Sequence, residues 1–95
     1  MKKFGFVRST HVDGEFVADA PEQERCWHDG HNGFVGHMLC SDKAMSFDEV
    51  CQEVSRYAEQ YPEDGSYPRT VEIALALVKL IEHGMARVVE LEELH

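Results

Sequence analysis

The chain has 95 residues and a formal net charge of −9, from 18 acidic and 9 basic residues. Its hydrophobic fraction of 43% is that of one small folded domain, 1–95, rather than of a disordered chain. The acidic balance repels phosphate backbones, which argues against a nucleic-acid partner and favours a positively charged protein surface. No apolar run approaches the roughly 20 residues that span a bilayer, and the apolar stretch near the N-terminus stops at Arg8, too early for a signal peptide. The sequence therefore predicts a cytoplasmic domain without a membrane partner.

The first predicted element is an antiparallel β-hairpin. Two segments with strand-forming residues cover Lys3–Val12 and Glu15–Ala18, and Asp13-Gly14 lies between them. An Asp-Gly pair is a strong hairpin signal because a type I′ turn needs positive φ at both central residues. The sequence therefore predicts a hairpin or small sheet at the start of the chain.

The segment after the hairpin is predicted to be irregular. Asp19–Arg25 is polar and contains a proline, which is typical of a loop. Cys26–Gly36 contains two turn dipeptides, and Phe34–Cys40 fits either a third strand or a short helix. Since residues 1–40 contain five of the seven glycines, this part of the domain is predicted to be rich in strands and turns.

Residues 41–95 are predicted to be helical, and the clearest signal lies at the start of the first helix. Ser46 and Glu49 have the spacing of a capping box, in which each side chain accepts a hydrogen bond from the other residue's backbone N–H. Apolar residues then recur at i, i+3, i+4 and i+7 as far as Tyr61, which indicates one buried helix face. Pro62 ends the predicted helix.

A second helix and a strand complete the predicted elements. The polar loop Glu63–Arg69 leads to Thr70, which is a plausible N-cap. Val71–His83 is apolar over most of its circumference, and we interpret this helix as the centre of the core. Gly84 suits the C′ position just after the helix, and Met85–Val89 is predicted to be a strand. The elements together predict the α+β class, with strands before and after the helical part.

The order of helix, loop, longer helix and strand, ending in Leu80–Val89, resembles the end of a winged helix-turn-helix. With strands placed before the helices, the pattern over about residues 34–90 is similar to that of the small PqqD-like peptide-recognition domains. The resemblance implies a winged-helix-like helical half, built as a three-stranded sheet followed by three helices. It also implies a peptide ligand that is added as a strand to the edge of the sheet.

Two cysteines and three histidines lie within fifteen residues, with the spacing C-x-H-x₂-H-x₅-H-x₂-C. Thiolate and imidazole are the usual zinc ligands, but this spacing matches no standard zinc-finger pattern. The favoured interpretation is a protein without a cofactor, and zinc is the alternative. The same residue types serve in cysteine nucleophiles, but nothing in the sequence fixes their geometry, so no enzyme and no catalytic residue is predicted. The candidate ligands are Cys26, His28, His31, His37 and Cys40.

The acidic residues are concentrated in the helical half, where 12 acidic and 5 basic residues give a net charge of −7. The predicted function is a small acidic module that binds another protein or peptide, including basic ones, without catalysis. One alternative is a winged-helix transcriptional regulator that responds to metal through the cysteine and histidine residues. Another is an acidic inhibitor of the phage type, which occupies a nucleic-acid-binding surface of another protein. The predicted partner-binding face consists of Asp48, Glu49, Glu53, Glu59, Glu63 and Asp64.

Overall fold

The computed structural model describes residues 2–9 and 15–91. Within these ranges a two-stranded antiparallel sheet is combined with helices, which confirms the α+β class and the predicted final strand. No helix in the described part of the chain combines the length and the apolar character that crossing a membrane requires. In chain order the elements are β1 (Phe4–Arg8), α1 (Pro21–Trp27), α2 (Asn32–Met38), α3 (Phe47–Gln60), a 3₁₀ turn (Pro62–Asp64), α4 (Thr70–Glu82) and β2 (Ala86–Glu90).

The sheet joins the two ends of the described chain. β1 pairs with β2 along the full length of both strands, with Phe6 opposite Val88 at the centre. On its other side, β1 exchanges two backbone hydrogen bonds with Met45, of 2.7 Å and 3.0 Å, through the N–H and C=O groups of Phe6. β1 is therefore hydrogen-bonded on both sides, to β2 along its length and to Met45 at Phe6. Because the N–H and C=O groups of Phe6 face Met45, those of Val88 opposite it face away from β1.

The predicted hairpin is only partly within the described residues, because its turn, Asp13-Gly14, lies outside them. Residues 16–18 are described and do not form a strand, so the predicted second strand is not found there. Phe16 instead stacks on the ring of Trp27, with ring centroids 4.7 Å apart. The ring of Phe16 therefore packs on α1, and Glu15, the first residue of the predicted strand, is in a β-bridge.

The prediction of a loop over Asp19–Arg25 is wrong, because α1 begins at Pro21. Proline suits the first position of a helix, where its missing N–H has no intrahelical partner to lose. For Phe34–Cys40 the short helix is the correct alternative, and most of that segment belongs to α2. The described residues up to Cys40 therefore contain two helices as well as the expected strand and turns.

Two glycines in α2 allow it to lie directly against α1. A Cβ atom at Gly36 would lie 2.3 Å from the ring of Trp27, and one at Gly33 would lie 2.4 Å from the backbone oxygen of the same residue. Glycine lowers helix propensity, which is why α2 is difficult to recognise from sequence. Here the missing side chains are what permit the close contact.

The predicted start of α3 is confirmed, and that of α4 differs by one residue. Glu49 N–H donates to Ser46 Oγ at 3.2 Å, and Ser46 N–H donates to Glu49 Oε1 at 3.1 Å. In α4, Thr70 is the first helical residue and Arg69 holds the N-cap position. The guanidinium of Arg69 has no acceptor atom, so it cannot cap the N–H groups at the start of the helix. The backbone N–H of Arg69 donates to Glu72 Oε1 at 3.0 Å.

The end of α4 is a Schellman motif, as Gly84 predicts. This glycine has a φ of 73°, and its N–H donates to the carbonyl oxygen of Ile81 at 3.0 Å. The N–H of Met85 donates to the carbonyl oxygen of Leu80 at 2.8 Å. The motif turns the chain sharply, so that β2 starts beside the helix that precedes it.

One face of α4 lies at the centre of the core, where it packs on α1, α2, α3 and β2. The residues around this face come from the other helices and from the segments next to the strands. They all pack on the inner side of α4. The buried residues of α4 are Ile73, Ala76, Leu77 and Leu80, and those around them include Val35, Leu39, Val50, Val54 and Met85.

Candidate interaction surface

The outer face of α4 carries an exposed apolar stripe. Val71, Leu75 and Val78 are spaced at i, i+4 and i+7, so their side chains lie along one side of the helix. Their exposed fractions are 70%, 61% and 49%. Single exposed apolar residues are common on protein surfaces, but an aligned set is typical of an interaction site. We refer to these three residues as the α4 stripe.

Polar side chains border the α4 stripe. Lys79 Nζ lies 3.6 Å from Glu82 Oε2, and Glu72 Oε2 lies 3.3 Å from the Nε2 atom of His31. Beside Leu75 there is a shallow depression of about 230 Å³ between α4 and the residues just before α2. An apolar centre with a polar rim is the usual arrangement of a protein–protein interface.

The interpretation of α4 as the centre of the core does not identify this stripe. A helix that is apolar all round must either be buried all round or expose part of its apolar surface. A chain of 95 residues has few elements with which to cover a central helix. In the sequence, the apolar character of α4 over most of its circumference is the signal that part of it stays exposed. Which side is exposed depends on how the other helices pack.

A second feature, the aromatic corner, consists of Phe34, Tyr57, Tyr61 and Tyr67. Ring centroids lie 4.8 Å apart for Tyr57 and Tyr61, and 5.3 Å apart for Phe34 and Tyr57. The tyrosine at position 61 falls on the predicted buried stripe of α3, but its side chain is 43% exposed. α3 ends at Gln60, one residue before Tyr61. The backbone of Tyr61 is not helical, so its ring leaves the buried face of the helix.

The loop beside the aromatic corner is fixed to the end of α3. The hydroxyl group of Tyr67 donates a hydrogen bond to the carbonyl oxygen of Tyr61. Desolvation by burial, followed by the negative charge of Asp64, raises the pKa of Tyr67. A phenol is protonated at neutral pH even with its ordinary pKa, so the Tyr67 hydroxyl can donate the hydrogen bond that closes the loop.

The six carboxylates of the predicted acidic face lie on α3 or in the 3₁₀ turn after it, and all are exposed or half-buried. Two of them have partners within the chain. Glu49 closes the capping box, where hydrogen bonds from Ser46 lower its pKa, and Glu53 pairs with Arg56. The other four form no ion pair with any residue in the described ranges. They are Asp48 in the first turn of α3, Glu59 in its last turn, and Glu63 and Asp64 in the 3₁₀ turn.

Among the candidate metal ligands, Cys26 is buried between α1 and α4. Its Sγ atom lies 3.8 Å from the carbonyl oxygen of Lys79 and 3.6 Å from the side-chain nitrogen of Asn32. Burial raises the pKa of the Cys26 thiol. A thiol that is harder to deprotonate is a weaker zinc ligand and a weaker nucleophile.

The other four candidate ligands contact different neighbours. His28 and His31 each lie 3.3 Å from a glutamate, and His37 packs against the ring of Trp27 with centroids 5.0 Å apart. Cys40 lines a shallow depression together with residues of α3. Over residues 2–9 and 15–91, no three histidine, cysteine, aspartate or glutamate side chains are gathered as a metal site. The zinc alternative stays a prediction, which elemental analysis of the purified protein can decide.

Comparisons of the chain with protein-family models, with curated proteins and with solved structures gave no match.

Proposed function

We propose that this protein is a non-catalytic module that binds another protein or a peptide through the α4 stripe. The observation that supports this most directly is the exposure of Val71, Leu75 and Val78 on one face of one helix. Anchors at i, i+4 and i+7 are the spacing with which a helix is recognised by an apolar groove. We therefore propose a partner that has such a groove or a complementary apolar helix.

The rigidity of α4 favours the proposal. Its inner side is held by Leu77 and Leu80, both fully buried, and the Schellman motif at Gly84 fixes its end. A surface that is already ordered loses little conformational entropy when a partner binds. The three exposed side chains can therefore contribute most of the affinity.

The charge distribution favours a basic partner. The chain carries a net charge of −9, and four carboxylates on and after α3 form no ion pair within the described residues. This observation also favours the acidic-inhibitor alternative, in which the partner is a nucleic-acid-binding protein. It does not favour a DNA-binding regulator, because the charged residues of α4 are Glu72, Lys79 and Glu82, with a net charge of −1.

A capture experiment from the source cell tests the proposal. The immobilised wild-type protein is compared with Leu75→Glu, which places a charge in the α4 stripe, and with Ser55→Glu, which adds the same charge to an exposed position of α3. We expect one partner to be retained by the wild type and by Ser55→Glu but lost from Leu75→Glu. The denaturation midpoints of all three proteins should be similar.

Equal capture by all three proteins would contradict the proposed site. Capture that survives Leu75→Glu but is lost when the outer edge of β2 is blocked by Val88→Pro would move the site to the sheet edge, as the PqqD-like resemblance implies. Binding to random duplex DNA at about 150 mM salt would support the regulator instead, since at that salt surface charges are screened beyond about 8 Å.

A further inference from the structure

We infer that the aromatic corner, together with the carboxylates at the end of α3, binds an arginine side chain of a basic protein segment. This surface shares no residue with the α4 stripe, so the two sites can be tested separately, although the same carboxylates also favour the basic partner of the proposed function. The ligand chemistry follows from three properties of the corner, which are its open aromatic face, its rigidity and its negative charge.

The rings of the corner form an open face rather than an enclosed cage. Phe34, Tyr57 and Tyr67 are in mutual contact, with centroids 5.3 to 5.9 Å apart, so they fill the space between them. Tyr61 packs against this group and is itself 43% exposed. Both lysine and arginine can form cation–π contacts with such a face, but arginine does so more often, and its flat guanidinium can stack on the ring.

The exposed ring is held in place before any ligand arrives. The N–H of Tyr61 donates to the carbonyl oxygen of Tyr57 at 2.9 Å, and its own carbonyl oxygen accepts from the hydroxyl of Tyr67. The side-chain nitrogen of Gln60 lies 3.4 Å from the Tyr61 hydroxyl. Because backbone and ring are both restrained, stacking on Tyr61 costs little conformational entropy.

The charges around the corner favour a cation. The C-terminal end of a helix carries a partial negative charge, and the last turn of α3 contains no basic residue. Glu59 lies in that turn, and Glu63 and Asp64 follow in the 3₁₀ turn. None of the three forms an ion pair with a described residue. Asp64 lies beside the corner, because its N–H donates to the carbonyl oxygen of Tyr61 at 3.3 Å.

Arginine meets these conditions better than lysine. Its guanidinium group is planar and weakly hydrated, so it can stack on an aromatic ring while its N–H groups donate to carboxylates. A lysine ammonium is compact and strongly hydrated, and it gains less from an open aromatic face. The occupant is therefore an arginine in a basic segment of another protein.

An NMR titration of the full-length ¹⁵N-labelled protein with a capped tetra-arginine peptide tests the inference. Capped tetra-lysine and tetra-glutamate peptides are the matched probes. We expect the largest shift changes at Tyr61, Tyr67 and residues 63–65, and roughly threefold tighter binding of tetra-arginine than of tetra-lysine. Tetra-glutamate should produce no change at these positions.

Variants separate stacking from simple charge attraction. Tyr61→Leu should weaken tetra-arginine binding by roughly three- to tenfold, because a cation–π contact is lost, while Tyr61→Phe should retain it. The control Phe4→Leu removes an aromatic side chain that is 54% exposed on the sheet and should have no effect. Glu63→Gln combined with Asp64→Asn changes only exposed residues and should also weaken binding.

Two results would overturn the inference. One is a set of shift changes spread equally over all acidic positions, including Asp48, with equal affinity for tetra-arginine and tetra-lysine. The other is unchanged affinity in both Tyr61→Leu and the Glu63→Gln, Asp64→Asn double variant. The first result would mean that the peptide is attracted by net charge alone, and the second would mean that it binds at another part of the protein.

Discussion

α3 and α4 are similar in length, with 14 and 13 residues, and the third residue of each is a glutamate that accepts a hydrogen bond from the N-cap backbone. Both also bury one face in the same core. Their outer faces differ, because α3 exposes mainly charged and polar side chains while α4 exposes Val71, Leu75 and Val78. The outer face of α3 is suited to water, whereas that of α4 is suited to another apolar surface. Two helices of one core can therefore serve different roles.

The largest expected effect separates the two faces of α4. Leu77 is 2% exposed and Leu75 is 61% exposed, although they are only two residues apart. Leu77→Ala should lower the free energy of unfolding by about 2–5 kcal/mol because it leaves a cavity. Leu75→Ala should change it by no more than about 0.5 kcal/mol. Chemical denaturation measures both, and similar losses in the two variants would show that the α4 stripe is buried in solution.

A smaller effect compares the starts of the two helices. Ser46→Ala removes the side-chain acceptor of the α3 N-cap and should lower stability by about 1 kcal/mol. Arg69→Ser supplies the acceptor that α4 lacks and should raise stability by about 0.5–1 kcal/mol. Thr70→Ala is the control, since Thr70 lies inside the helix. If Thr70→Ala proves as costly as Ser46→Ala, α4 begins one residue later than the structure has it.

The smallest effect concerns the pH dependence of the α3 cap. Hydrogen bonds from Ser46 lower the pKa of Glu49 below its ordinary value of 4.5. A lowered pKa in the folded state means that the carboxylate stabilises the fold above about pH 4.5, and that this contribution is lost as pH falls through the folded-state pKa. The stability difference between wild type and Glu49→Gln should therefore shrink from pH 6 to about pH 2. Thermal melts across this range measure it, and a difference that grows at low pH would contradict the assignment.

The features that can be predicted from the sequence depend on residues that are close to one another along the chain. The capping box of Ser46 and Glu49 lies within one helical turn, and Gly84 marks a conformation that few other residues adopt. α1 was missed because Pro21 was interpreted as a loop residue, although proline also suits the start of a helix. The α2 glycines are explained only by Trp27, which belongs to another element.

The features that are not predictable depend on packing between distant parts of the chain. Strand-forming residues before the Asp-Gly pair identify β1 as a strand, but its partner β2 lies at the other end of the chain. The α4 stripe is hidden because helical periodicity reveals an outer face only when that face is polar. The spacing of Cys26 and His31 shows that they are close in sequence, but α1 and the turn after it direct them to different neighbours.

The pairing of β1 with β2 has a consequence for the order of folding. The register joins Phe4 to Glu90, and the N–H of Leu91 donates to the carbonyl oxygen of Lys3 at 2.8 Å. Closing a loop of nearly the whole chain costs more entropy than closing the short loops that bring neighbouring helices together. The sheet is therefore expected to form late, after α1 to α4 have shortened the distance between the strands. During synthesis on the ribosome, β1 can pair with Met45 early, but the sheet is completed only after β2 has emerged.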